Sequence, residues 1–123
     1  MSNKIFWKRI YEEAKAEDGF RILIDRLWPR GITKEAAALG EWAKEITPSA
    51  ELRKAYHRGE IPYAQFASMY ETELAENPAF KNFANNIQAQ LEKNPVTLVY
   101  ASKEPEKSHI PILKEFLTAA LGE

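Results

Sequence analysis

The densest group of chemically capable side chains lies in residues 25–31, Asp-Arg-Leu-Trp-Pro-Arg-Gly. Arg26 and Arg30 lie on either side of Trp28, and arginine forks suit bidentate recognition of a carboxylate or a phosphate. The Trp28 ring can stack on a planar ligand or on an arginine, and Asp25 offers a carboxylate for proton transfer. The alternative is architectural, with an Asp–Arg pair bracing a tight turn and Trp28 filling the core. The residue types alone leave both interpretations open, because structured turns and binding sites share this composition.

A second group of polar side chains ends the apolar run at residues 96–101. Tyr100, Ser102 and Lys103 supply a phenol, a hydroxyl and a cation. Taken singly, Ser102 and Lys103 are better explained as a turn residue and a solvated cation, since nucleophilic use of a serine needs an orienting partner. Together with Arg26 and Arg30 they form a candidate anion pocket.

The two histidines have different surroundings in the sequence. His109 stands at the predicted start of the last helix, where the helix dipole disfavours an imidazolium, so a neutral ring can serve as a donor or a base. The alternative for His109 is a surface or capping role. His57 lies at a predicted helix end, where a cation complements the dipole, and we interpret it as structural.

The apolar pattern predicts the elements that position these residues. Residues 4–10 predict an edge or half-buried strand, and residues 20–25 and 96–101 are near-continuous apolar runs typical of strands covered on both faces. Helical spacing dominates between them and after them. Four apolar stripes carry this pattern: Leu39/Trp42/Ala43/Ile46, Phe66/Met69/Tyr70/Leu74, Phe80/Phe83/Ala84/Ile87/Leu91 and Ile112/Leu113/Phe116/Leu117/Leu121.

Two buried strands separated by a long helical crossover indicate parallel pairing. The sequence therefore predicts a single α/β domain over residues 1–123, with a small, mostly parallel sheet of about three strands flanked by several helices. The direction of the N-terminal strand stays open. Ligands of open α/β sheets bind beyond the carboxyl ends of the strands, so we expect residues 25–31, 100–103 and His109 to meet at one rim.

Composition narrows the function classes. Cysteine is absent, which excludes disulfides, thiolate catalysis and iron–sulfur clusters. Lys plus Arg is 17 and Asp plus Glu is 18, a balance that argues against a nucleic-acid partner. No apolar run suits a membrane span, and we expect a cytoplasmic protein.

We predict no metal site and no cofactor, because the two histidines are far apart and no nucleotide-binding fingerprint occurs. Acidic residues 12–18 are interpreted as a solvated loop.

Residues 17–31, Glu-Asp-Gly-Phe-Arg-Ile-Leu-Ile-Asp-Arg-Leu-Trp-Pro-Arg-Gly, resemble the hallmark of the YeaO-like family, the domain of unknown function 488. Further matching landmarks are Trp42 in a following helix, Pro48-Ser49, residues 51–54 and residues 96–103. The resemblance runs from about Asp18 to Leu117. It departs at Ser108, where similar proteins carry Asn. The resemblance implies a fold and a candidate site, and it implies no reaction.

The leading hypothesis is a small enzyme or binding protein for an anionic, phosphate- or carboxylate-bearing metabolite, nucleotide-like in character. Arg26 and Arg30 would clamp the anion, Trp28 or Tyr100 would stack on it, and Asp25 or His109 would handle protons. The alternative is a nucleic-acid-associated or regulatory interaction module that uses the middle helices. A third possibility is an interaction domain whose Arg-Trp turn is purely architectural. Oligomeric state is left open.

Overall fold

A four-stranded, all-parallel sheet with helices packed on it forms the protein. The computed structural model describes residues 4–122. The strands are β1 (Ile5–Arg9), β2 (Phe20–Leu23), β3 (Glu41–Trp42) and β4 (Val96–Tyr100), in the spatial order β1-β4-β2-β3. The helices are α1 (Lys34–Ala37), α2 (Ala50–His57), α3 (Tyr63–Glu76), α4 (Pro78–Leu91) and α5 (Ile110–Leu121). The predicted α/β class with a small parallel sheet is confirmed, and one short strand is added.

The central strand is β4, whose five residues are all buried. Val96 lies opposite Ile5 of β1 and Phe20 of β2, so the three strands begin level with one another. The N-terminal strand is parallel to β4, which resolves the direction that the sequence left open. Because the strands run the same way from the same level, the residues that follow β1, β2 and β4 emerge at one rim of the sheet.

The two faces of the sheet are covered unequally. Ile22, Leu98 and Tyr100 point towards the larger core, which is completed by α2 to α5. Leu23 and Val99 point to the opposite face, where a smaller core is closed by α1 and by Trp28 and other residues of the segment after β2. The near-continuous apolar runs in β2 and β4 follow from this cover on both faces.

The helix predicted from the stripe at Leu39, Trp42, Ala43 and Ile46 is wrong. Helix α1 ends at Ala37, and the chain then runs alongside β2 as strand β3, followed by a 3-10 turn at Lys44–Ile46. The Gly40 and Ala43 amides donate hydrogen bonds to the carbonyls of Arg21 and Leu23. A side chain at Gly40 would place its Cβ 2.3 Å from the Phe20 ring. Sheet pairing at this close approach overrides the helical spacing, and Trp42 therefore belongs to a strand.

The other three apolar stripes lie in helices α3, α4 and α5, as predicted, and capping groups mark several helix ends. Asn77 accepts a hydrogen bond from the Ala79 amide at the start of α4, with proline at the first helical position. Ser49 caps α2 in the same way through the Leu52 amide. Gly122 ends α5 in a left-handed conformation. None of the helices in residues 4–122 has the length and apolar content that crossing a bilayer requires.

The interpretation of residues 12–18 as a solvated loop is wrong for Asp18, which is buried. Its carboxylate accepts hydrogen bonds from the Arg21 guanidinium at 2.6 Å and from the Lys8 ammonium at 3.1 Å. Arg21 is 3% exposed and also donates to the Ala37 carbonyl. A buried arginine needs a counter-charge, so the position of Arg21 in the apolar run of β2 was the signal that this loop folds inward.

Candidate functional site

A cavity of about 550 Å³ opens at the carboxyl ends of β2 and β4. We call it the rim pocket. The predicted rim residues Asp25, Arg26, Trp28, Arg30, Ser102, Lys103 and His109 all line it. Its remaining walls come from Tyr11, Leu27, Pro29, Thr47, Pro48, Arg53, Tyr56, His57, Phe66, Ala101, Lys107 and Ser108. The parallel strands bring residues distant in the sequence together here, as the rim argument predicts.

Positive charge is concentrated on the walls of the rim pocket. Its lining includes the side chains of Arg26, Arg30, Arg53, Lys103 and Lys107, and a single carboxylate, that of Asp25. The whole chain has a formal net charge of −1, so this excess is local. A concave, basic cavity concentrates electrostatic potential and favours an anion.

Several of these cations have spare donors. The Arg26 Nε–H donates to the Pro48 carbonyl at 2.9 Å, which leaves its terminal nitrogens without a partner among the described residues. The guanidinium of Arg30 is exposed, and neither it nor that of Arg53 makes a hydrogen bond or close ion pair within residues 4–122. Unused guanidinium forks facing a cavity are suited to bidentate contact with phosphate or carboxylate oxygens.

Asp25 lies at the floor of the rim pocket, and the backbone directly after β4 positions its side chain. Its Oδ2 accepts the Ala101 amide hydrogen at 2.8 Å, and its Oδ1 lies 3.6 Å from Nε2 of His109. Burial raises the pKa of the Asp25 carboxyl, against the opposing effects of His109, the Ala101 amide and Arg53. The carboxylate is therefore placed both to brace the rim and to exchange a proton with the cavity.

His109 precedes the first turn of α5, as predicted, and its ring points back to the end of β2. Nε2 lies 2.6 Å from the Ile24 carbonyl oxygen. The carbonyl oxygen can only accept a hydrogen bond, so Nε2 must carry the ring hydrogen and donate it to that oxygen. Burial lowers the pKa of the ring, partly offset by Asp25 and by the Ile24 carbonyl. The edge of the ring packs against Tyr70, whose own pKa burial raises well above its ordinary value.

Trp28 lines the rim pocket, but its polar edge is already engaged. Nε1 donates to the Ile32 carbonyl at 2.7 Å, and the ring meets Trp42 edge-on with centroids 5.3 Å apart. Trp42 in turn donates to the Asp25 carbonyl oxygen at 2.7 Å. The two tryptophans thus fix the turn after β2, and the architectural and ligand-facing interpretations of this motif both have support in the geometry.

Tyr100 is not brought to the rim pocket. It is 8% exposed, belongs to the core on the helical face, and is absent from the pocket lining. Burial raises the pKa of its phenol, and Glu12 adds to that rise. Side chains alternate along a strand, so the last residue of β4 points into the core, while Ser102 and Lys103 beyond it reach the rim.

The segment after β4 is anchored by side chains of β1, α2 and α3. The Arg9 guanidinium donates to the carbonyls of Ala101 and Ser102, at 2.9 Å and 3.1 Å. The hydroxyl of Tyr56 donates to the Lys107 carbonyl, and that of Tyr63 donates to the Ser108 carbonyl, both at 2.8 Å. Ser102 accepts a hydrogen bond from the Glu104 amide, a turn role. These contacts hold the wall that presents Lys103 and Lys107.

Sequence reasoning missed the contribution of α2 to the site. Arg53 and Tyr56 line the rim pocket, and so does the exposed His57, for which the sequence predicts a structural role at the helix end. The spacing of Arg53, Tyr56 and His57 places them on one helical face. That pattern was visible, but the side of the sheet on which α2 packs was not.

A second, acidic cleft of about 360 Å³ lies between β3 and α4. Glu41 and Asn86 are hydrogen-bonded across it, and burial together with Glu45 raises the pKa of Glu41. No group of three or more metal-ligating carboxylates and histidines occurs among residues 4–122. The acidic cleft contains none of the functional-site residues that the sequence predicts.

Comparison with known proteins places the chain among relatives of matching length. A family model described as the inactive DUF488-N3 subclade matches residues 4–123. The chain is 46% identical over 110 residues to "Uncharacterized protein YeaO" of Escherichia coli, covering 89% of this chain and 93% of that protein. It is 36% identical over 109 residues to "Uncharacterized protein Mb3100c" of Mycobacterium bovis and to "Uncharacterized protein Rv3073c" of Mycobacterium tuberculosis, covering 89% of each chain compared. No solved structure matches it.

Proposed function

Because the chain belongs to the YeaO-like DUF488 family, in the branch described as its inactive DUF488-N3 subclade, we propose that it binds a small anion without transforming it. The ligand is phosphate- or carboxylate-bearing and nucleotide-like, in that it joins its anionic group to a planar one. The rim pocket holds it, and the protein works in the cytoplasm.

The observation that supports this proposal is the charge of the rim pocket. Five Lys and Arg side chains line it against one carboxylate, in a chain with nearly balanced charge. The volume of about 550 Å³ falls within the ordinary range for pockets that bind small molecules. A nucleotide-sized ligand suits this volume better than a free inorganic ion.

A planar group has a surface to contact at the mouth of the rim pocket. Tyr11 is 46% exposed, and its hydroxyl donates to the Arg30 carbonyl at 3.0 Å, which fixes the ring beside that arginine. The Arg9 guanidinium covers one face of the ring, 5.1 Å from its centroid. Nearly half of Tyr11 is exposed, whereas Trp28 packs edge-on against Trp42. The stacking role proposed here therefore falls to Tyr11.

A binding role fits the geometry of the two groups suited to proton transfer. Asp25 accepts the Ala101 amide hydrogen and His109 donates to the Ile24 carbonyl, so both have structural partners. The family description as inactive agrees with a site that binds without reacting. In this proposal Asp25 and His109 adjust the charge of the pocket.

The test is a binding series by isothermal titration calorimetry with pyrophosphate, citrate, a nucleoside diphosphate and the uncharged nucleoside. Arg30→Ala is the informative variant, because its guanidinium has no protein partner among the described residues. Arg58→Ala is the matched control, because Arg58 lies outside the rim pocket, directly after α2, and its one ion pair within residues 4–122 is with Glu60 on the surface. A hydrogen bond to a charged group is worth about 1.5–3 kcal/mol, so Arg30→Ala should weaken anion binding by roughly ten- to 100-fold.

We expect Arg58→Ala to bind like the wild type and the nucleoside to bind far more weakly than the diphosphate. Equal affinity of Arg30→Ala and wild type for every anion would contradict the proposal. An oligonucleotide arm addresses the alternative of a nucleic-acid-associated module. Oligonucleotide binding that is tighter than nucleotide binding and falls steeply with salt would favour that alternative.

A further inference from the structure

The His109–Asp25 pair is the part of the rim pocket that anion binding alone leaves unexplained. Both side chains line the cavity, with 12% and 17% of their surface exposed. Nε2 of His109 and Oδ1 of Asp25 lie 3.6 Å apart. A carboxylate at the floor of a basic pocket opposes the binding of an anion, unless its charge can be cancelled.

We infer that the rim pocket binds its anion together with a proton, which the His109–Asp25 pair takes up, so that occupancy rises as the pH falls. This inference rests on the proposed function, because it requires an anion in the rim pocket. It adds a regulatory property that a simple anion site lacks.

The charge balance of the pair carries the argument. With Asp25 ionised and His109 neutral, the pair has one negative charge. One added proton brings the pair to zero net charge, whether it resides on the carboxylate or on the ring. The only negative charge that residues 4–122 place on the pocket lining is then cancelled, which strengthens the attraction for an anion. By linkage, a bound anion raises the proton affinity of the pair by the same factor.

The pair has room for the proton without rearrangement. Nε2 of His109 already holds a hydrogen, and Nδ1 has no partner within residues 4–122. Oδ2 of Asp25 is occupied by the Ala101 amide, whereas Oδ1 has His109 as its neighbour. Burial disfavours the charged form of both side chains, raising the pKa of Asp25 and lowering that of His109. The neutralised pair is thus favoured at the pocket floor.

Several other groups face or adjoin the pair. Arg53 of α2 acts electrostatically on Asp25, and Arg26 adjoins Asp25 in the chain. Tyr70 of α3 contacts the His109 ring, and its raised pKa keeps the phenol neutral. His57 is the one other histidine of the chain, and as an exposed residue of the same pocket it requires a control.

The experiment uses sulfate, which keeps its charge over the relevant pH range, whereas a phosphate monoester titrates near pH 6. Calorimetry in buffers of different ionisation enthalpy gives the number of protons taken up per sulfate bound. The wild type should take up a large fraction of a proton, with affinity about tenfold higher at the acidic end. His57→Gln should keep this proton uptake per sulfate bound, even if its affinity for sulfate differs from that of the wild type. Asp25→Asn keeps an oxygen for the Ala101 amide but removes the carboxylate. It should take up no proton and bind sulfate more tightly than wild type at high pH.

His109→Gln provides a second variant, because its amide can still donate to the Ile24 carbonyl; it should take up fewer protons than the wild type. Sulfate binding without proton uptake in the wild type overturns this inference and leaves the anion pocket standing. Proton uptake that is lost in His57→Gln and unchanged in Asp25→Asn also overturns it, because the proton then belongs to His57. Absence of binding by sulfate and by every anion of the earlier series overturns both proposals.

Discussion

Replacement of Asp18 by Asn is the sharpest test of how the fold is held together. The Asp18 Oδ2 atom accepts three hydrogen bonds, from Arg21 at 2.6 Å and from Lys8 and the Lys15 amide at 3.1 Å each. Asn can keep an acceptor oxygen there, so the substitution preserves shape and removes the charge. The Arg21 guanidinium, 3% exposed, is then a buried cation that lacks its close counter-charge.

The expected loss follows from the burial. Removing one partner of a buried ion pair destabilises a protein by about 3–5 kcal/mol. The entropy of unfolding is roughly 2.1 cal/mol/K per residue, which gives about 0.26 kcal/mol/K for a chain of 123 residues. Asp18→Asn should therefore lower Tm by roughly 12–19 °C. Circular dichroism melts at neutral pH measure this shift.

The pH dependence of the same variant gives a second readout. Burial by itself would raise the pKa of Asp18, but hydrogen bonds from Lys15, Lys8 and Arg21 together lower it below 3.8. A lowered folded-state pKa gives stability that is present above the unfolded pKa and is lost as the pH falls through the folded one. The difference in Tm between wild type and Asp18→Asn should shrink in acid.

The double variant Asp18→Asn with Arg21→Met is the internal control. Removing both charges should restore part of the stability lost in Asp18→Asn, because no buried cation remains unpaired. A Tm of Asp18→Asn within about 3 °C of wild type, or a double variant less stable than both single variants, would refute the reasoning.

Three further outcomes are expected. Gly19→Ala places a Cβ 2.1 Å from the Pro95 carbonyl oxygen, at a φ of +67°. Urea unfolding should show a loss in the free energy of unfolding that exceeds the roughly 1–2 kcal/mol of left-handed backbone strain alone. A smaller loss would contradict the close approach. Trp28→Phe removes the donor to the Ile32 carbonyl and should cost about 1 kcal/mol in urea unfolding, while the affinity for the nucleoside diphosphate stays unchanged. Weaker binding of the nucleoside diphosphate would instead assign Trp28 to the ligand. The pKa of His109 is lower in the folded protein than in the unfolded chain, so the unfolded chain binds the proton first as the pH falls. Wild-type stability should therefore fall as the pH drops below 6.5. Thermal melts of His109→Gln should show a weaker dependence on pH in this range.

Much of the candidate site could be predicted from residue order alone. Polar residues directly after two buried strands must share a rim if the strands are parallel, and Asp25, Arg26, Ser102 and His109 do so. Tyr100 was misplaced because the alternation of side chains at the strand end decides inward or outward direction, and a fully buried strand hides that alternation.

Strand β3 and part of the pocket lining could not be predicted from the spacing of apolar residues in the sequence. The stripe at Leu39 to Ile46 has helical spacing, yet β2 offers an unpaired edge, and backbone pairing to it outweighs the local preference. The basic pocket gained Arg53 and Lys107 because α2 and the segment before α5 fold against the same rim. Their positions depend on packing across the chain.

The sequence by itself determined the α/β class and the meeting of Asp25, Arg26 and His109 at the rim formed by the carboxyl ends of the strands. Those features depend on local patterns of apolar and polar residues, which short segments encode, and on the general handedness of parallel crossovers. Only the tertiary structure decided that β1 is parallel, that Asp18 is buried against Arg21, and that His109 adjoins Asp25. Each of these depends on contacts between distant segments, whose free energy exists only when the chain is folded.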